Sequence, residues 1–154
     1  MVNFSDIIIK VLSKAIMNQK MPEQENHIED LVRKYSLELL LLFGSQVTGE
    51  THKESDYDIA YLSSDSLDLD NEGRLINNLM SIVGAEDERK VNLINIKKAN
   101  PFLLYAITKK CRVLYEREPT TFAALRALAF KKYVEMKPIY EERTQRTRRK
   151  IYQK

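Results

Sequence analysis

Between residues 28 and 35, apolar side chains fall at Ile28, Leu31, Val32 and Tyr35. This is the i, i+3, i+4, i+7 spacing of one helix face, and it predicts a helix over about 23–34, with Pro22 suited to its first turn. Upstream, Ile8, Val11, Leu12, Ala15 and Ile16 make a similar stripe behind a capping Ser5, so an additional N-terminal helix is expected over about 4–18. LELLLLF at 37–43 is short and almost wholly apolar. Closed by Gly44 and a polar stretch, it reads as a strand buried on both faces, with a helix as the competing reading. YDIAYL at 57–62 reads as a second strand. Leu67, Leu69, Leu75, Ile76, Leu79, Met80 and Val83 then predict a helix ended by Gly84. KVNLINI at 90–96 alternates strictly, with Val91, Leu93 and Asn95 on one face and Asn92, Ile94 and Ile96 on the other. Asn100 can cap a helix opening at Pro101 and carrying Leu103, Leu104 and Ile107. CRVLYE at 111–116 is a short strand, and Pro119 opens a long final helix that Pro138 kinks or ends.

Helices and strands thus alternate, which predicts an α/β (α+β) domain with one mixed sheet and flanking helices. Three segments are expected: an N-terminal helical extension at 1–22, the main domain at 23–118, and a C-terminal helix with a basic tail at 119–154. Hydrophobic residues at 44% and charged residues at 31% exclude a disordered composition. The single cysteine, Cys111, excludes an internal disulfide and a cysteine-based zinc site, and its default reading is a buried thiol. With no signal-peptide pattern and no apolar run near ~20 residues, a cytoplasmic protein is expected. Net charge is +3, while residues 141–154 hold six Lys/Arg against two Glu, so the positive field is a C-terminal feature. Such a tail could touch RNA or dock on an acidic partner; a solvated helix end is the plainer reading.

The candidate chemistry lies at residues 44–58, GSQVTGETHKESDYD. A strand that ends in Gly-Ser and leads into a short helix offers backbone N–H groups and a hydroxyl to an anion, and phosphate is the usual occupant. Gly44 lacks the Cβ that would block close approach, and Ser45 adds a donor. Asp56 and Asp58 share one strand face roughly 7 Å apart, at ~3.3 Å per residue. Two carboxylates so placed repel unless a cation lies between them, and Mg²⁺ binds through one or two carboxylates plus substrate phosphates. A polar surface loop is the bland alternative for DYD alone. Against it, Asp58 runs directly into apolar Ile59 and Ala60, where an unpaired charge is expensive. Together the two pairs describe a site for a metal–nucleotide complex and phosphate-transfer chemistry.

Gly-Ser, ten residues, then Asp-x-Asp, behind LELLLLFGS and running into DIAYL, resembles the signature of the polymerase-β-type nucleotidyltransferase superfamily. Within it the chain is most similar to the minimal nucleotidyltransferase branch, in particular the MntA-like antitoxins paired with HEPN-type ribonuclease toxins. KVNLINIKKANPFLLYAITKKCRVLYERE and FAALRALAFKKYVEMKPIYEERTQR carry the likeness downstream, over roughly 26–145 in all. The resemblance implies a nucleotidyltransferase fold, ATP as substrate and one or two Mg²⁺ ions as cofactors. It assigns metal binding and catalysis to Asp56 and Asp58, and holding of the triphosphate to Gly44 and Ser45. It further implies transfer of AMP to a tyrosine of a HEPN-type toxin partner.

Two departures qualify those expectations. The family often has Arg after Gly-Ser, where this chain has Gln46. Its third carboxylate lies in a VDLVDL-like strand, where this chain reads VNLINI, so Asn92 and Asn95 are the candidate positions. Alternation lets only one of them face Asp56 and Asp58, and neither is an acid. An amide carries no charge and cannot act as a base, a loss that typically costs ~10²–10⁴-fold in rate. Glu86, Asp87 and Glu88 are candidate substitutes, and His52 and Lys53 could reach a nucleotide from the intervening loop. The first expectation is an adenylylating antitoxin. The second is an impaired nucleotide-binding antitoxin that acts by masking. The third is a small-molecule nucleotidyltransferase, for which the chain leaves little room for an acceptor domain.

Overall fold

A computed structural model describes residues 23–48 and 56–152. The expected first helix, Ser5, Pro22, His52 and Lys53 lie outside them. The elements run α1 (Glu23–Lys34), β1 (Leu37–Phe43), α2 (Ser45–Thr48), β2 (Tyr57–Ser63), α3 (Leu69–Val83), β3 (Val91–Asn95), α4 (Pro101–Lys109), β4 (Cys111–Glu116) and α5 (Thr121–Tyr152). Short 3-10 turns, Glu88–Lys90 and Ile96–Lys98, flank β3. The strands form one mixed sheet in the order β3-β2-β1-β4. β1 pairs antiparallel with β2 and β4, and β2 pairs parallel with β3.

The apolar run 37–43 is a strand because it is central and covered on both faces. Leu37, Leu40 and Leu42 pack with Leu31, Val32, Leu75 and Leu79 beneath α1 and α3. Leu39 and Leu41 pack with Leu104, Ile107 and Ala129 beneath α4 and α5. β3 divides in the same way, with Val91 and Leu93 in the first layer and Ile94 and Ile96 in the second. The caps follow the sequence. Gly84 ends α3 at φ +73°, and Asn100 accepts from the N–H groups of Phe102 and Leu103 ahead of Pro101.

Four local expectations change. Leu69 is 85% exposed and lies off the apolar face of α3, because Asp68 caps the helix and leaves Leu69 in its first turn. α5 starts at Thr121 rather than Pro119, with Glu116 accepting from the Phe122 N–H. Pro138 does not end α5, which continues to Tyr152. Val134, whose carbonyl loses its helical donor there, is half exposed. Cys111 is half-buried rather than fully buried, and burial raises its thiol pKa against the pull of Arg126.

Candidate nucleotide and metal site

The site lies at one end of the sheet, where β1 leaves and β2 and β3 enter. Register brings its parts together: Phe43 pairs with Asp58, and Asp58 pairs with Asn92. Gly44 turns the chain out of β1 at φ +75°, a conformation that favours glycine. Glycine is required there for a second reason. A Cβ at Gly44 would run into the Asp58 carboxylate, meeting Oδ2 first and standing 3.1 Å from Cγ. The Gly44 carbonyl then accepts from the N–H groups of Val47 and Thr48, which winds the short α2 and places Ser45 at its start.

Asp58 is held from two sides. Its Oδ2 faces Gly44, and its Oδ1 accepts a 3.1 Å hydrogen bond from Asn92 Nδ2. Asp56 stands just before β2 and is exposed. Gly44, Ser45, Asp58 and Asn92 therefore share one corner, with Asp56 at its rim.

Asn95 is on the other face of β3. Its Nδ2 donates to Tyr61 Oη at 2.9 Å, and its Oδ1 accepts from the Lys97 N–H, which caps the 3-10 turn after the strand. Tyr61 in turn donates to Glu72 Oε1 at 2.6 Å, and Lys98 approaches the same oxygen at 3.7 Å. Burial first, then the hydrogen bond and charge of Glu72, raise the Tyr61 phenol well above its ordinary range. This chain of side chains was not anticipated. Its one sequence signal is the pairing of Tyr61 with Asn95, which requires the β2–β3 register.

The substitute acids are otherwise placed. Asp87 caps the 3-10 turn and takes three side-chain contacts from Arg89, which lower its pKa to about 2. Glu86 and Glu88 are exposed. Among the described residues no group of three or more His, Cys, Asp or Glu could hold a metal ion. The oxygen donors on hand are two carboxylates and the amide of Asn92. That hard, incomplete set suits an ion whose remaining ligands are phosphate and water.

A mixed four-stranded sheet with flanking helices and a long C-terminal helix is the nucleotidyltransferase fold. The chain belongs to that family: the profile described as Polymerase beta, Nucleotidyltransferase matches residues 26–120. A more particular likeness is to the protein adenylyltransferase MntA of Shewanella oneidensis, 32% identical over 93 residues. That match covers 59% of this chain and 64% of the relative, so the chain spans a little under two thirds of the relative's length. Among solved structures, a toxin–antitoxin crystal structure with AMP-PNP superposes with a TM-score of 0.60 at 26% identity, over 77% of this chain and 97% of that one. A complex of the tri-AMPylated Shewanella oneidensis HEPN toxin with its MNT antitoxin shares the fold, with a TM-score of 0.56 at 23% identity, over 79% of this chain and 97% of that one. No helix among the described residues is long and apolar enough to cross a membrane.

Proposed function

We propose that the protein is a toxin-neutralising nucleotidyltransferase that transfers AMP from ATP to a hydroxyl of a HEPN-type toxin: the hydroxyl oxygen bonds to the α-phosphorus, the bond to the β-phosphate breaks, pyrophosphate leaves and the hydroxyl proton passes to solvent. The observation that carries this reading is the Gly44–Asp58 contact, which ties the turn after β1 to the acid of β2. Family membership and the adenylyltransferase relative support it. In this reading Asp56 and Asp58 would hold Mg²⁺, and Gly44 and Ser45 would hold the triphosphate. The ion would supply charge neutralisation on the phosphates when bound. Gly44 lets the phosphate chain approach the backbone, Ser45 donates its hydroxyl, and Asn92 fixes the Asp58 carboxylate through Oδ1.

One observation favours a second reading, an antitoxin that acts by masking alone. The residue facing Asp58 across β3 is Asn92, which has no charge and cannot take a proton from the acceptor hydroxyl. Intact-mass measurement of the toxin after incubation with this protein, ATP and Mg²⁺ separates the two. A gain of one or more AMP units is expected. A toxin that is inhibited at unchanged mass selects masking, and an active, unmodified toxin defeats both.

A further inference from the structure

Of the six large hydrophobic side chains that stand exposed among the described residues, five lie on α5: Leu128, Phe130, Val134, Ile139 and Tyr140. Two of them, Phe130 and Val134, fall in line with two exposed alanines. Ala123, Ala127, Phe130 and Val134 are all exposed and follow i, i+4, i+7, i+11. That spacing is a helix-packing seam, about 16 Å long at 1.5 Å per residue. The face of α5 that packs on the domain is a separate one. Ala129 is buried in the core, and Tyr133 stacks on Tyr105 of α4 with ring centroids 4.2 Å apart. α5 therefore carries a second apolar stripe that stands exposed, touched among the described residues by Tyr105 of α4 at Phe130. Two of its four positions are alanine, which lets another helix axis come close.

Beside the stripe, between the end of α4 and α5, lies a groove of about 290 Å³ lined by Tyr105, Thr108, Lys109, Arg126 and Phe130. The stacking of Tyr105 on Tyr133 and its contact with Phe130 hold its aromatic walls. Lys109 stands over the Tyr105 ring at 5.8 Å, and neither Lys109 nor Arg126 forms an ion pair with a carboxylate of the described residues. An apolar seam beside an aromatic groove with two cations matches a protein segment that offers both apolar and acidic side chains. α5 itself carries nine Lys/Arg against three Glu, a net +6 in a chain whose total is +3. Two such helices laid together would repel, which argues against a second copy in the same arrangement. An apolar seam also argues against nucleic acid, whose recognition would use the cations without it.

The position suits the proposed chemistry. Cys111 lies in the same packed layer as Leu125 and Ala129 of α5, and it pairs with Phe43, which also pairs with Asp58. Cys111 is thus two strand spacings, about 10 Å, from the acid corner. We infer that the outer seam of α5 and its groove dock an acidic amphipathic helix of the protein acceptor, presenting that acceptor to the site at Asp58. The inference rests on the transferase-antitoxin reading for the partner's identity, but not on whether transfer occurs.

The test is binding of the purified HEPN-type toxin of the pair to the full chain, with Mg-ATP binding and the helical circular-dichroism signal measured in parallel. F130E/V134E should weaken toxin binding at least ~30-fold, the scale of loss expected for central apolar anchors. K109E/R126E should weaken it ~10-fold and flatten its salt dependence. L69E, a change at the exposed Leu69 on α3, should leave it unchanged. All three variants should keep Mg-ATP affinity and helical signal. Wild-type toxin affinity in F130E/V134E overturns the docking site while leaving the function reading intact. A wild-type self-association abolished by F130E/V134E overturns it in favour of a second copy. Toxin that neither binds nor is modified by wild-type protein defeats the function reading and removes the named occupant with it.

Discussion

Two asparagines three residues apart on β3 end up in opposite roles. Asn92 meets Asp58 at an open corner, and Asn95 meets Tyr61 in a closed one. The covered cluster is saturated at its centre: the hydroxyl of Tyr61, a residue 1% exposed, donates to Glu72 and accepts from Asn95, whose Oδ1 takes the Lys97 N–H. The open cluster is not. Asp58 takes one bond from Asn92 and presents the rest of its carboxylate beside Gly44, while Asp56 stands exposed at the rim. A polar group whose partners are all supplied by the fold contributes stability, and one left with spare acceptors can take a ligand. The same residue type on one strand thus serves a structural cluster at Asn95 and the proposed site at Asn92, by which way the pleat turns it.

The largest effect should come from emptying the open cluster. Asp56→Asn with Asp58→Asn is expected to abolish Mg-dependent ATP binding, a loss of at least ~100-fold, since two hard anionic ligands are removed together. Calorimetry with and without Mg²⁺ checks it, and unchanged affinity takes both acids out of the site. Gly44→Ala is next. At φ +75° an alanine costs about 1–2 kcal/mol, and its Cβ displaces the Asp58 carboxylate. ATP affinity should fall ~10-fold or more, with a lowered melting temperature; a variant that binds ATP normally would show that this contact does not shape the site.

Asn92→Asp sharpens the comparison from the other side. Without metal, a second carboxylate beside Asp58 should lower the melting temperature, because like charges at hydrogen-bond distance repel. Saturating Mg²⁺ should restore it, and any transfer rate should rise on the order of 10²-fold with the base returned. Asn95→Asp should do neither. It faces Glu72 through Tyr61 on the covered side and should cost about 1–3 kcal/mol of stability with Mg-ATP affinity unchanged. If Asn95→Asp raises transfer while Asn92→Asp does not, the two faces have been assigned the wrong way round.

Much of this architecture was legible from periodicity, because the sheet is built from elements whose burial is symmetric. LELLLLF is a two-faced strand, α1, α3 and α4 carry apolar stripes, and Gly84 and Asn100 mark helix ends, whereas the cap at Asp68 was not read. The alternation of VNLINI required that one asparagine face Asp58, but could not say which. That depends on the parallel register of β2 on β3, a pairing between residues 34 apart. The Gly44–Asp58 contact was hidden for a related reason. Spacing joined the phosphate turn and the metal pair into one site, but it takes the antiparallel β1–β2 register to set Gly44 directly against Asp58. Of the two expectations at Pro138, the helix end fails, because α5 runs through it to Tyr152.

The smallest predicted effect lies in the closed cluster and is read by pH. Burial and then Glu72 hold the Tyr61 phenol above the ordinary tyrosine value, so the folded protein keeps that proton more tightly than the unfolded chain does. The stability this linkage supplies is complete below about pH 10 and is lost as pH rises through and beyond that value. Removing the hydroxyl by Tyr61→Phe leaves Asn95 and Glu72 short of one partner, at a cost near 1 kcal/mol at neutral pH. Above pH 10 the melting temperature of the variant should fall less steeply than that of the wild type. In a near-ultraviolet absorbance titration, the wild type should show a late-ionising phenol that the variant lacks. Superimposable titrations would mean that Glu72 does not hold the proton in place. The closed cluster would then have a spare acceptor of its own, and the contrast with Asn92 and Asp58 would lose its physical basis.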